Sequence, residues 1–260
     1  MKNKQVFLIV FISVFILFSC SSSEDFIVLH QVTGGIQTNS YLLYGSKTKD
    51  AALFDVGGPI DTLLNFIEEN NLNLRYFFFT HGHSDHIIGL PDVRDQFPEA
   101  KVCIHKSDYD DIFTVKEWAI NNMGQGFIDY LLSDPERRKI YDFEEESFGK
   151  PDIFITDNQV FKFGSSEIIA IHSPGHSPGS ICFYINGRLF SGDVLFYRSV
   201  GRTDVQHSSR EDQIKSVRRL YALFPDETKV YPGHGQFTEI GAEKEHNKYV
   251  TVDGGEWGNQ

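Results

Sequence analysis

Short apolar runs recur along the chain from Phe26 onward, and glycine, asparagine, aspartate or proline bounds most of them. Runs with this length and punctuation predict β-strands rather than helices. The predicted strands span residues 26–32, 40–44, 51–55, 76–80, 102–105, 160–163, 167–172, 180–185, 188–191 and 229–231.

Other stretches place apolar side chains three and four residues apart, which is typical of one buried helix face. They predict helices over residues 60–70, 107–120, 134–146, 210–224 and, more briefly, 240–249. Many strands come early and late, with helices between them, so we expect an α/β fold of two sheets covered by helices. The charged, helical segment 109–151 is the predicted insertion in this fold.

The first 19 residues have the pattern of a secretory signal peptide. Lys2 and Lys4 precede an apolar run over 6–18, which is shorter than the roughly 20 residues of a membrane-spanning helix. The run ends in Leu17-Phe18-Ser19-Cys20, which resembles the lipobox of bacterial lipoproteins. The resemblance implies a signal peptide over 1–19, a lipidated Cys20 with a polar tether over 20–25, and a globular domain over 26–250.

Such a protein would be exported and held at a membrane of the cell envelope by its N-terminal lipid, on the periplasmic side or at the surface. A plain signal peptide and an N-terminal membrane anchor remain alternatives. Export would place Cys103 and Cys182 in an oxidising compartment. Both lie in apolar, strand-like runs, so we expect two buried, unpaired thiols rather than a disulfide.

The amino-acid composition limits the classes of partner that this protein is expected to bind. The formal net charge is −12, and removal of the first 19 residues with their two lysines would bring it to −14. Such an acidic surface repels phosphate backbones, so we expect no nucleic-acid partner. The 23 phenylalanines and 11 tyrosines supply enough apolar surface for a large core.

The predicted strand over 76–80 is followed at once by four metal-competent side chains, in the order His81-Gly82-His83-Ser84-Asp85-His86. Adjacent histidines are poor core residues, because each buried imidazole needs a partner. Gly82 would let the backbone turn tightly, and Ser84 is predicted to cap a following helix. Imidazole and carboxylate together favour zinc, iron or manganese over calcium or magnesium.

Three further candidates stand alone in the sequence. His176 lies in a turn-rich loop between two predicted strands, and Asp193 and His234 each come just after a strand. Singly, each is a weak signal, because a loop histidine or aspartate is more often a surface residue. All three follow strand ends beside glycine, which is the placement expected of a site on one rim of a sheet.

The order H-x-H-x-D-H, then His, Asp and His, resembles the metallo-β-lactamase fold superfamily, and the resemblance covers about residues 26–246. It implies a four-layer αββα sandwich with two divalent metal ions at one edge, most commonly zinc, with iron or manganese as alternatives. It also implies the ligands: the first metal is held by His81, His83 and His176, the second by Asp85, His86 and His234, and Asp193 bridges both.

The chemistry implied by such a site is hydrolytic. Two cations about 3.5–4 Å apart lower the pKa of a bridging water toward 7 and stabilise the oxyanion that forms when hydroxide attacks a carbonyl carbon. No protein nucleophile is then required. Asp85 is the predicted catalytic residue, because it can orient the hydroxide or handle its proton.

The sequence around the predicted ligands is most similar to that of the short glyoxalase II-like hydrolases. Asp193 favours the glyoxalase II-like hydrolases, because zinc β-lactamases commonly carry cysteine or serine at the equivalent ligand position. We therefore expect hydrolysis of a small thiolester or ester. A lactonase, a β-lactam hydrolase, a single-iron persulfide dioxygenase and a non-catalytic metal-binding lipoprotein remain alternatives.

The sequence indicates the residues that contact the substrate less clearly than it indicates the metal ligands. Only residues 235–260 follow His234, which is too few for the C-terminal domain that grips glutathione in full glyoxalase II, so S-lactoylglutathione is one candidate substrate among several. Arg202 would bind an anionic substrate tail or anchor its loop by a salt bridge. Phe196 and Tyr197 would wall the pocket or pack in the core.

Overall fold

The computed structural model describes residues 24–251. The predicted signal peptide and Cys20 lie outside these residues. The strands are β1 (Phe26–Thr33), β2 (Thr38–Gly45), β3 (Asp50–Phe54), β4 (Asn73–Phe78), β5 (Lys101–His105), β6 (Ile153–Ile155), β7 (Val160–Phe163), β8 (Ser166–His172), β9 (Ile181–Ile185), β10 (Arg188–Gly192), β11 (Leu195–Phe196), β12 (Ser199–Val200), β13 (Lys229–Pro232) and β14 (Thr238–Glu239). The helices are α1 (Asp61–Glu69), α2 (Ser84–Ile87), α3 (Leu90–Arg94), α4 (Lys106–Asn122), α5 (Gln125–Leu132), α6 (Pro135–Asp142), α7 (Arg210–Leu223) and α8 (Ile240–His246), with a 3-10 helix over Glu145–Phe148.

The strands form two six-stranded sheets and a small hairpin. The first sheet has the order β1-β2-β3-β4-β5-β6, and the second has the order β14-β13-β10-β9-β8-β7. The pairs β3–β4, β4–β5, β5–β6 and β10–β13 are parallel. The candidate metal ligands follow the carboxyl ends of β4, β10 and β13, or lie in the loop after β8.

Three apolar clusters separate the layers. The middle cluster lies between the sheets, where the rings of Phe54 and Phe190 stack with centroids 4.0 Å apart. A second cluster packs α1 against the outer face of the first sheet, and a third packs α7 against the second sheet. Each fully buried phenylalanine contributes about 1.5–3 kcal/mol. The layers therefore run helix, sheet, sheet, helix, and the predicted αββα sandwich is confirmed.

The sequence pattern missed the shortest and most exposed elements. β6, β11, β12 and β14 each have only two or three residues, which is too short for a recognisable alternation. Helix α5 was also missed. The predicted helix over 134–146 ends at Asp142, because Phe143 has extended backbone and separates it from the 3-10 helix.

The predicted cap at Ser84 is wrong. Ser84 is the first residue of α2, and His83 occupies the capping position without a side-chain capping bond. The helix begins there because the His83 carbonyl already accepts the backbone N–H of His86, at 2.9 Å.

The two cysteines of the described chain are free and buried, which confirms the prediction of unpaired thiols. Cys103 lies between the two sheets, whereas Cys182 faces the cluster on the outer side of the second sheet.

Among residues 24–251, no helix has the length and apolar character that crossing a bilayer requires.

Candidate metal centre

Seven side chains from four separate parts of the chain meet at one edge of the sandwich. They form three overlapping groups, and within each group the possible ligand atoms lie within 4.8 Å of one another. The first group is His81, His83 and His176, and the second is Asp85, His86 and His234. The third, His81, His86 and Asp193, overlaps both.

The first group is made of imidazoles alone. His176 Nε2 lies 2.9 Å from His83 Nδ1, and the rings of His81 and His83 meet edge to face at 4.7 Å. His176 Nδ1 lies 2.9 Å from the Arg202 carbonyl oxygen, which can accept a hydrogen bond from the Nδ1–H. This tautomer leaves Nε2 free to bind a metal.

The second group adds carboxylates. His234 Nε2 lies 3.3 Å from Asp85 Oδ2 and 3.2 Å from His86 Nε2. Asp193 lies between the groups: its Oδ1 is 3.5 Å from His86 Nε2, and its Oδ2 is 3.5 Å from His176 Nε2. This central position is the one expected of a carboxylate shared by two cations.

Burial and charge set different protonation states in the two groups. Burial, together with neighbouring histidines, lowers the pKa of His83 to about 3, and burial lowers the pKa of His176 to about 4. Burial also lowers the pKa of His86, but the Asp85, Asp193 and Asp55 carboxylates outweigh it and raise that pKa to about 10. The first group therefore carries neutral imidazoles, the form that binds metal.

Asp55 holds the second group in place. It is 2% exposed, and its carboxylate accepts bonds from the Thr80 N–H and hydroxyl, both at 2.8 Å, and lies 2.8 Å from His86 Nδ1. A carboxylate on the far ring nitrogen fixes the orientation of a ligating histidine. Sequence reasoning did not select Asp55 as a site residue, although it also follows a strand end and precedes Gly57 and Gly58.

Asp108 holds the first group in place. It is 1% exposed on α4, and its carboxylate accepts the Gly82 N–H at 3.0 Å, the Ser177 hydroxyl at 2.6 Å and the Gly179 N–H at 2.5 Å. It thereby joins the loop of His81 and His83 to the loop of His176. This role could not be predicted from the sequence, because Asp108 is one of several acidic residues at the start of a charged helix.

Gly82 allows the backbone of α4 to lie close to the loop that carries His81 and His83. A Cβ on Gly82 would lie 2.5 Å from the Asp108 carbonyl oxygen, and the backbone angles of Gly82 are open to other residues. The expectation of a tight glycine turn is therefore corrected: glycine is needed because α4 packs directly on the loop.

A cavity of about 530 Å³ opens onto the metal centre. His83, Asp85, His176, Asp193 and His234 line one end of it. Its size lies within the range of small-molecule sites, about 300–1,000 Å³.

The three predicted substrate contacts have different positions. Arg202 and Phe196 line the cavity, and the ring of Phe196 lies 6.2 Å from the ring of His234. The Arg202 guanidinium bonds the Asp204 carboxylate at 2.6 and 2.8 Å, so it also anchors its own loop. Tyr197 is 46% exposed, packs under Arg198 and is absent from the described cavity wall, because it lies in the turn after β11.

The donor set fits divalent cations. His81 Nε2 and Asp193 Oδ1 are buried and have no hydrogen-bond partner among the described residues. Buried polar atoms without partners are costly unless something else satisfies them. Imidazole nitrogens and carboxylate oxygens in overlapping groups suit zinc, iron or manganese, so this cluster could hold such ions.

Comparisons with known proteins find relatives that match most of this chain. The 30% identical hydroxyacylglutathione hydrolase GloC of Haemophilus influenzae aligns over 82% of this chain and 93% of its own. The probable metallo-hydrolase YqgX of Bacillus subtilis is 28% identical over 84% of this chain and 94% of its own.

Among solved structures, BLEG-1 B3 metallo-beta-lactamase is 32% identical with a TM-score of 0.68, covering 85% of this chain and 98% of its own. ETHE1 from Myxococcus xanthus is 27% identical with a TM-score of 0.66, and the match covers 86% of this chain and 84% of its own. The sequence profile described as "Metallo-beta-lactamase superfamily" matches residues 33–234, which is more than half of the chain. The chain therefore belongs to the metallo-beta-lactamase superfamily.

Proposed function

We propose that this metallo-hydrolase cleaves a small thiolester or ester with two divalent metal ions, in the manner of glyoxalase II. The observation that carries the proposal is the convergence of seven donors, five of which line the cavity. Among the described residues, His81 Nε2 and Asp193 Oδ1 have no hydrogen-bond partner. The similarity to GloC, which is described as a hydroxyacylglutathione hydrolase, supports the thiolester class.

His81, His83 and His176 would hold one cation, Asp85, His86 and His234 the other, and Asp193 both. When bound, the two ions supply Lewis-acid activation of water and of the substrate carbonyl. Zinc is the proposed metal, with iron and manganese as alternatives.

Asp85 would orient the attacking water in this reaction. Its carboxylate lines the cavity, and the Thr38 hydroxyl donates to its Oδ2 at 3.1 Å. Burial raises the pKa of Asp85, but His86 and His234 outweigh it and keep that pKa well below its usual range. Asp85 therefore stays ionised and can accept a hydrogen bond from a water that approaches the scissile carbonyl.

The test is metal analysis of the purified protein together with a screen of thiolesters, esters, lactones and β-lactams. About two metals per chain with thiolester or ester turnover is the expected result. Similarity to BLEG-1 and to ETHE1 makes two other results informative. Faster turnover of β-lactams than of thiolesters would contradict the proposal, and one iron per chain with oxygen consumption would favour a dioxygenase.

Asp193→Ala should lose one metal per chain and lower kcat/KM at least about 100-fold, because removing a charge-stabilising donor costs that much in other enzymes. Asp226→Ala is the matched control, since Asp226 is mostly exposed and pairs with Lys244 outside the described cavity wall. An Asp193→Ala variant with two metals and full turnover would remove the bridging role. A protein that binds metal but turns over none of the four substrate classes would be a metal-binding protein instead.

We also propose that the protein is a lipoprotein of the cell envelope, anchored by a lipid on Cys20. The support is the sequence Leu17-Phe18-Ser19-Cys20 after a short apolar run. Cys20→Ala should move the protein from the membrane fraction to the soluble or unprocessed fraction. Unchanged fractionation and no mass shift from lipid would contradict the anchor.

A further inference from the structure

The cavity at the metal centre has a second, apolar end. Helices α4, α5 and α6 form this end, and its wall includes Val115, Trp118, Met123, Phe127, Ile128 and Leu131. Five of the seven candidate metal ligands line the same cavity. A molecule bound here would place one part beside the metals and another among apolar side chains.

Helix α4 contributes Ile112 to the apolar cluster on the first sheet, but another part of its surface, together with α5 and α6, faces the cavity. The three apolar clusters of the described chain contain none of the six side chains named above. Five of the six are half-buried, and Leu131 is 4% exposed although it lies in a charged, surface helical segment. Exposed apolar surface gathered in one concave wall is typical of a ligand site.

The charged groups in this wall are already bonded within the protein. Lys116 Nζ donates to the Phe143 carbonyl oxygen at 2.9 Å, and Arg202 makes its two-bond pair with Asp204. The wall therefore favours an apolar group over a long anionic tail at this end of the cavity.

We propose that the substrate carries a medium-length, unbranched apolar acyl chain that lies under α4, α5 and α6. This inference rests on the proposed hydrolysis. In that reaction the bond between the acyl carbon and sulfur or oxygen breaks. Water supplies the new hydroxyl group on the acyl carbon, and its other proton goes to the departing thiol or alcohol. The acyl chain is the part that the apolar end selects.

The first test measures kcat/KM of the zinc-loaded protein for acetyl, butanoyl, hexanoyl and octanoyl thiolesters with one shared leaving group. Burial of each added methylene is expected to raise kcat/KM about three- to fourfold, so that octanoyl exceeds butanoyl by about 100-fold. Equal values for acetyl and octanoyl would overturn the inference and leave the proposed function standing.

Two neighbouring leucines give a matched pair of variants. Leu131 lines the cavity, whereas Leu132 is 39% exposed and outside the described cavity wall. Leu131→Ala should lower the ratio of octanoyl to acetyl kcat/KM about tenfold, and Leu132→Ala should leave this ratio unchanged. Should Leu131→Ala fail to fold, Phe127→Ala tests the same wall at a half-buried position. Equal ratios in all variants would contradict the inference.

Binding gives a readout that does not depend on turnover. A Trp257→Phe background leaves Trp118 in the cavity wall as the single tryptophan. Octanoate should change the Trp118 emission saturably, acetate should not, and Leu131→Ala should weaken octanoate binding about tenfold. Octanoate binding without hydrolysis of any thiolester or ester would refute the proposed function and keep the apolar site. No response to octanoate would refute the site.

Discussion

Asp108 shows how one buried carboxylate can organise a metal centre that it does not reach. Its three hydrogen bonds go to Gly82, Ser177 and Gly179, which are neighbours of the candidate ligands in two loops. Burial raises the pKa of Asp108 to about 7, against the three donors, which lower it. The loops therefore hold the carboxylate at a cost in desolvation that their hydrogen bonds offset only in part.

Asp108→Asn should weaken metal binding about 10- to 100-fold, which is the usual effect of losing an outer partner of a metal site. An amide nitrogen would face one of the three donors and leave it unpaired, so the free energy of unfolding should also fall by about 1–3 kcal/mol. Competition with a chelator measures the first effect, and urea unfolding of the metal-free protein measures the second.

Asp110→Asn is the control for this substitution. Asp110 lies on the same helix, but its carboxylate is exposed and pairs with Lys106 at the surface. Surface pairs of this kind contribute about 0–1 kcal/mol. Equal metal affinity in the Asp108→Asn and Asp110→Asn variants would show that Asp108 does not position the loops.

The candidate ligands could be found from the sequence, but the residues that position them mostly could not. His81, His83, Asp85 and His86 lie within six residues, so their chemistry is visible in one short motif. The three partners of Asp108 are 26, 69 and 71 residues away, and only the packing of α4 on two loops brings them together.

At the scale of elements, Glu24 joins two separate turns of the sandwich to the start of β1. It lies just before β1 and is 8% exposed. Its Oε1 accepts the Thr48 N–H at 2.8 Å and the Thr48 hydroxyl at 2.5 Å, between β2 and β3. Its Oε2 accepts the Ser165 N–H at 2.8 Å, in the turn between β7 and β8. The carboxylate thus links the first sheet to the second.

These contacts make stability depend on pH. Burial raises the pKa of Glu24, but the bonds from Thr48 and Ser165 outweigh it and bring that pKa from 4.5 down to about 2. The ionised form stabilises the fold, so its contribution is complete above about pH 4.5 and is lost as the pH falls through 2. A shift of this size corresponds to about 2–3 kcal/mol.

Glu24→Gln should therefore lower the free energy of unfolding by about 2 kcal/mol at pH 7, with the difference from the parent protein shrinking between pH 4.5 and 2. Denaturant unfolding across this pH range measures it. Glu99→Gln serves as the control because Glu99 is exposed. A Glu24→Gln difference that stays constant with pH would show that the charge of Glu24 does not contribute.

The sequence located most elements because their apolar runs are buried on both sides. β4 is an example: Phe77 packs toward the helices and Phe78 toward the second sheet, so the run is continuous. β6 and α5 were missed for the opposite reason. Phe154 of β6 is 38% exposed, and α5 turns its apolar side chains to the cavity instead of the core.

At the scale of the molecule, the fold and the metal centre are held by different forces. The three apolar clusters lie between the layers, whereas the seven candidate ligands lie on loops at one edge. Removal of metal should leave the clusters intact, because none of the candidate ligands belongs to them. It should, however, leave His81 Nε2 and Asp193 Oδ1 buried without partners, so the edge is the part that loses stability.

Chelation should therefore lower the melting temperature without unfolding the protein at 25 °C. An ion present at about 1,000 times its Kd stabilises the folded state by about 4 kcal/mol, which corresponds to about 8–16 °C in a domain of this size. Thermal unfolding with and without chelator measures the shift, and the circular dichroism spectrum at 25 °C should not change. Added zinc should restore the melting temperature in the parent protein and only partly in Asp193→Ala, because that variant lacks the carboxylate placed between the two histidine groups. A chelated protein without secondary structure at 25 °C would show instead that the metals, and not the apolar clusters, hold the two sheets together.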